Sequence, residues 1–144
     1  MSYCSIDDIT SRMPIDTVKK LTQDDRASSE INRKVVDIAI SDATAIIDNK
    51  IGQRYALPLP TVPGILKRIS VDIAIYFIYR NRFDNKVPEE VKSTFTESVE
   101  VLSNIEKGIS NLDGVAERNK TNFVVRTNHS KSSIAFTAES LRSL

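Results

Sequence analysis

Three prolines within six positions, Pro58, Pro60 and Pro63, stand directly before the most apolar segment of the chain. A proline lacks a backbone N–H and disfavours helical geometry for the residue before it, so no helix continues through this stretch. The segment that follows, from about residue 63 to residue 83, is apolar on nearly all sides of a helical projection. Because a helix of that kind is buried on most of its surface, the other elements must pack around it.

Apolar residues elsewhere in the chain recur at helical rather than strand spacing. The spacing therefore predicts an all-α fold, a compact bundle of about four helices, in which the helix of about residues 63–83 is the most buried member. The other predicted elements are a short helix that is capped by Ser5 and stopped by Pro14, a polar loop over residues 21–29, a helix from Ser28 or Ser29 to about Arg54, and a helix from Pro88 to Gly108.

The length and charge of the chain limit the classes of protein to which it can belong. Its 144 residues are enough for one domain with its own core, and a net charge of +1 gives no overall attraction to nucleic acid or membrane. Cys4 is the single cysteine, so no intrachain disulfide is possible, and the single histidine, His129, lies far along the chain, so no thiol–histidine pair is expected. The acidic start and the short apolar run predict no secretion signal and no membrane span, which indicates a cytoplasmic protein where it is made.

Asp72 is the residue that most needs a partner, because it lies within the apolar segment. A buried charge is costly unless it is paired. Arg68 lies one helical turn before Asp72 and Tyr76 one turn after it, so both share its face. Arg54 could also reach the carboxylate once the proline loop folds back. We predict a buried polar contact among these residues that fixes the register of the helix.

The sequence carries no catalytic signature. A catalytic carboxylate would need a second acid, a base or a metal at a fixed spacing, and Asp72 has none. The acidic pairs at residues 7–8 and 24–25 lack the alternating oxygen ligands of a calcium loop, and no phosphate-binding glycine loop or zinc motif is present. We therefore expect no enzyme activity, no cofactor and no metal.

The amino-acid composition of the chain changes after Gly114. Residues 115–144 are rich in Ser, Thr and Asn and hold five Lys or Arg against two Glu. We interpret residues 1–114 as a helical domain and residues 115–144 as an extended arm that is ordered by contact with a partner; two short stretches, 122–126 and 133–138, could be strands. The alternatives are a solvated tail and contact with DNA phosphates. The candidate docking residues are Phe123, Arg126, Phe136, Leu141, Arg142 and Leu144.

Several segments, taken in order, resemble a known family. They are "MSYCSIDDI", "RYALPLPTVP", "DIAIYFIY", "PEEV", "IEKGISNL" and "FTAESLRSL". Nearly the whole chain is similar to the Mu-like phage and prophage family of small head–tail adaptor or connector proteins, and "RYALPL…VP…DIA" is the most specific part of the likeness.

The resemblance implies an all-helical connector fold that is not an enzyme. It also implies a ring of about a dozen copies on the portal protein, by analogy with closed cyclic assemblies. Such a ring bridges the portal and the neck or tail completion protein at the head–tail junction of the virion, assembles in the host bacterial cytoplasm, and lets DNA pass without sequence recognition. The arm would then dock on the portal or on a neighbouring subunit.

The competing hypothesis is a helical nucleic-acid-associated or protein-interaction module that uses the basic tail. It predicts salt-sensitive DNA binding that disappears when residues 115–144 are removed. A helix-turn-helix around the prolines is excluded, because the linker is about twice the usual length and the second helix is too apolar to read DNA.

Overall fold

The computed structural model describes residues 1–23, 29–82 and 84–118. The five helices within these ranges are α1 (Ile6–Arg12), α2 (Ile15–Thr22), α3 (Arg33–Ile51), α4 (Gly64–Arg80) and α5 (Glu89–Glu106). The predicted all-α class is confirmed, and among the described residues the nearest approach to a sheet is a single antiparallel bridge between Tyr55 and Glu117.

Helix α4 lies at the centre of the fold, and it is buried on most sides as its sequence predicts. It packs against α1, α2, α3 and α5, most extensively against α3. Its buried residues occupy most sides of the helix, including the small side chains of Ser70 and Ala74, which let neighbouring helices approach closely. Pro63 precedes its first turn in extended geometry, which is where a proline suits the start of a helix.

Helix α2 is not among the helices expected from the sequence. Pro14 is expected from the sequence only to stop the first helix, but it also precedes α2, because the missing N–H of a proline costs nothing at a helix start. Two apolar residues on one face, Val18 and Leu21, then bury α2 against α3 and α4. Leu21 and Thr22 therefore belong to a helix rather than to the predicted polar loop, whose residues 24–28 lie outside the described part of the chain.

The ends of the helices differ from expectation by a few residues. Helix α3 begins at Arg33 rather than at Ser28 or Ser29 and ends three residues before Arg54. The Thr22 hydroxyl accepts a hydrogen bond from the Asn32 N–H at 3.2 Å, which ties the start of α3 to the end of α2.

Caps define two other helix ends as the sequence predicts. Ser5 and Asp8 form a reciprocal capping box at the start of α1. Helix α5 ends in a turn through Gly108, whose φ of +80° is costly for any residue with a side chain.

The N-terminal residues are held against the bundle by buried polar contacts. The Tyr3 hydroxyl donates to the Asp48 carboxylate on α3, and the Ser70 hydroxyl donates to the Cys4 sulfur at 3.1 Å. Burial raises the pKa of both the Tyr3 hydroxyl and the Cys4 thiol, so both groups stay protonated at neutral pH. Cys4 therefore serves as a small core residue rather than as a nucleophile.

Candidate functional site

Asp72 lies at the meeting point of α1, α4 and α5. It is 7% exposed, and its Oδ1 accepts a hydrogen bond from Nη1 of Arg12, the last residue of α1, at 2.7 Å. The Nε atom of Arg68 lies 3.8 Å from Oδ2, and Ser98 on α5 favours the charged form of the carboxyl. We call Arg12, Arg68, Asp72 and Ser98 the Asp72 cluster, in which the bond between Arg12 and Asp72 joins α1 to α4.

The electrostatics of the Asp72 cluster are dominated by burial. Desolvation raises the pKa of the Asp72 carboxyl above its ordinary value of 3.8, while the charges of Arg12 and Arg68 and the Ser98 hydroxyl offset only part of that effect. The ionised carboxylate is therefore held at a cost in free energy, and the arginines reduce that cost.

The partners of Asp72 differ from the predicted set. Arg68 lies near it, but the closest partner is Arg12, which sequence spacing gave no reason to consider, because it is 60 residues away along the chain. Tyr76 turns toward α5 instead, where its ring stacks on Phe95 with centroids 3.9 Å apart. Arg54 is engaged at another site.

We expect the replacement of Asp72 by asparagine to change the pH dependence of stability. Because the folded-state pKa lies above 3.8, this carboxyl makes the free energy of unfolding fall as the pH rises from 3.8 through the raised pKa. The side chain of the Asp72→Asn variant does not titrate, so the variant should lose less stability than the wild type over that window.

Urea melts of the two proteins at several values from about pH 4 to pH 7 measure this difference. Asp37→Asn, which removes an exposed carboxylate from α3, is the matched control. A difference between wild type and the Asp72 variant that stays constant with pH would show that burial does not dominate this carboxyl.

Arg54 forms a second polar cluster beyond the C-terminal ends of α3 and α5. Its guanidinium donates to the carbonyls of Ile105 and Ser110, to Oδ1 of Asn111 at 2.8 Å, and to the carboxylate of Glu117. These acceptors span the last turn of α5 and residues 109–118, which we call the strap. The Arg54 side chain is 11% exposed, so it lies under the strap.

Backbone and tyrosine contacts fasten the same strap. The Arg118 N–H donates to the carbonyl of Arg54 at 2.7 Å, next to the bridge between Tyr55 and Glu117. The Tyr55 hydroxyl accepts a hydrogen bond from the buried Leu112 N–H at 3.0 Å. Residues 115–118 therefore contact the helical domain, while the boundary predicted at Gly114 and the arm beyond it stay predictions.

The candidate docking residues of the arm stay predictions as well. Their positions, from Phe123 to Leu144, lie outside the described residues.

Two open grooves flank Arg12. One, of about 240 Å³, lies between α4 and α5 and contains the carboxylates of Asp72 and Glu90. The other, of about 210 Å³, lies between α1 and α4, where Lys67 binds Asp8 at 2.8 Å and so lowers the pKa of the Asp8 carboxyl. Asp72 and Asp8, one in each groove, are thus already engaged by neighbouring cations.

Neither a metal site nor a membrane span is present in the part of the chain that the structure describes. No three His, Cys, Asp or Glu residues there come close enough to hold a metal ion. No helix there is long and apolar enough to cross a membrane.

The fold and the two clusters define a small all-helical domain whose buried polar side chains join its elements to one another. The chain belongs to the phage protein family described as Bacteriophage Mu, Gp36, whose model matches residues 3–126. It is 27% identical over 108 residues to "Gene product J" of Escherichia phage Mu, covering 75% of this chain and 74% of that protein. It is 31% identical over 116 residues to "Mu-like prophage FluMu protein gp36" of Haemophilus influenzae, covering 80% of this chain and 82% of that protein. The Mu-like phage family expected from the sequence is thereby confirmed.

Proposed function

We propose that the protein is a structural subunit of the phage head–tail junction, an adaptor that bridges the portal and the neck or tail. The observation that carries this proposal is membership of the Mu family across residues 3–126, which makes other phage proteins its natural partners. The proposed role is architectural and needs no catalytic residue, in keeping with two polar clusters that are engaged in packing.

The distribution of charge supports this role. Residues 1–118 hold 16 basic and 18 acidic residues, a net charge of −2, whereas residues 119–144 hold four basic residues and one acidic residue, a net charge of +3. A nearly neutral domain suits a channel wall, because it offers little net attraction to the phosphates of passing DNA. The basic segment suits contact with an acidic protein surface.

The proposed assembly is a ring on the portal. A ring requires a heterologous interface, in which one surface of a subunit packs against a different surface of the next. We expect the helical domains to form that interface and the segment after Arg118 to reach the portal or a neighbouring subunit.

Light scattering coupled to size exclusion tests the proposal, with the full chain alone and mixed with the portal protein of the same phage. The expected result is a complex of portal with many copies of this chain. A variant that ends at Arg118 should bind portal more weakly, because it lacks the basic segment. A chain that stays monomeric and never associates with portal would refute the proposal.

A binding titration with duplex DNA at low and high salt distinguishes the adaptor from the nucleic-acid-associated alternative. The adaptor proposal predicts weak binding that is the same for different DNA sequences. Strong binding that falls steeply with salt and disappears in the variant ending at Arg118 would favour the alternative.

A further inference from the structure

One side chain holds most of the strap in place. Arg54 contacts acceptors at residues 105, 110, 111 and 117, so its guanidinium connects the end of α5 to both halves of the strap. This arrangement uses the planar fork of an arginine, which presents several N–H donors in fixed directions, and a lysine ammonium could not reproduce it.

The strap itself buries little apolar surface. Leu112 is its one fully buried side chain, Val115 is partly buried, and Ile109 is 72% exposed. Segments with few buried apolar contacts open at low free energy without unfolding of the whole domain. The polar contacts of Arg54, together with the Tyr55 hydroxyl, therefore decide whether the strap lies closed.

The turn that leads into the strap lies beside the same arginine. Gly108 has a φ of +80°, and a Cβ at this position would lie at an ordinary contact distance of 3.7 Å from Cζ of Arg54. The glycine allows α5 to end and the chain to turn beside the guanidinium, so the carbonyl of Ser110 reaches Nη1 at 3.0 Å.

We propose that Arg54 is a latch that closes the strap and thereby fixes the position of Arg118, after which the chain continues into residues 119–144. The last described residue, Arg118, is bound to the backbone of Arg54 itself. Opening of the latch frees the strap while α3, α4 and α5 keep their packing, because those helices meet through their own apolar faces. The latch is a conformational device for the segment that carries a net charge of +3.

Hydrogen exchange of the full-length protein, read by mass spectrometry, tests the latch. In Arg54→Gln, peptides that cover residues 109–118 should exchange about tenfold faster, while peptides from α4 keep the wild-type rate. Lys50→Gln is the matched control: Lys50 lies in the last turn of α3, four residues before Arg54, and binds Glu106 at 2.7 Å, so it joins the same helix ends without contacting the strap.

A second variant keeps the test decisive if Arg54→Gln does not fold. Glu117→Gln removes only the outer charged contact of the latch, at a residue that is 51% exposed, and should speed strap exchange by a smaller factor. Equal strap exchange in wild type and either folded variant would overturn the latch, as would faster exchange spread evenly over α3, α4 and α5.

The consequence for assembly rests on the proposed function, and portal binding of the same variants measures it in a separate experiment. Arg54→Gln should weaken portal association, whereas Lys50→Gln should leave it unchanged. A freed strap with unchanged portal association would contradict the role of the latch in assembly. If wild type itself never bound portal, the proposed function would fail while the exchange result still decided the latch.

Discussion

Replacing Ile73 with alanine is expected to lower the free energy of unfolding by about 2–5 kcal/mol. Ile73 is 0% exposed in the middle of α4, the helix that contacts the four others. Its truncation removes buried methyl groups and leaves a cavity that the surrounding helices cannot fully close. Because small domains are stable by only about 5–15 kcal/mol, such a loss is a large part of the total.

Urea denaturation followed by circular dichroism measures this loss. Ile65→Ala is the matched control, because it is the same substitution on the same helix at a residue that is 41% exposed. The control should lose less than about 1 kcal/mol. Similar losses in the two variants would show that α4 is not the buried centre of the bundle.

The position of α4 was predictable because its burial is encoded locally. A helix that is apolar on nearly all sides must be buried on most of its surface, and the prolines before it define where it begins. The same reasoning predicts the class of the fold and the approximate ends of α3 and α5.

Helix α2 was harder to predict because a proline has two roles at helix ends. Pro14 ends α1 and also begins α2, and its chemistry is compatible with either role alone. The buried pair Val18 and Leu21 is the signal that could have revealed the helix, since the two lie on one helical face.

The partners of Asp72 show the limit of reasoning from spacing. Spacing along a helix found Arg68, one turn away, but the closer partner Arg12 is brought in by the packing of α1 on α4. For the same reason the sequence suggested Asp72 as a partner of Arg54. The structure instead places the acceptors of Arg54 at the end of α5 and beyond it. Contacts between distant residues depend on tertiary packing, which local patterns do not encode.

A phage that lacks this chain is expected to make complete heads and complete tails that do not join. If the protein is the adaptor between portal and tail, heads should still fill with DNA and tails should still assemble, because neither process requires the missing ring. Infectious particles should fall to the background level. Expression of the wild-type chain from a plasmid should restore them, which serves as the control for the genetic change.

Electron microscopy of lysates from this null mutant shows whether heads and tails are joined. Separate heads and free tails are expected in place of whole particles, with joined particles returning on complementation. Whole, tailed particles in the absence of the chain would contradict the proposed place at the head–tail junction, as would a block before the heads form.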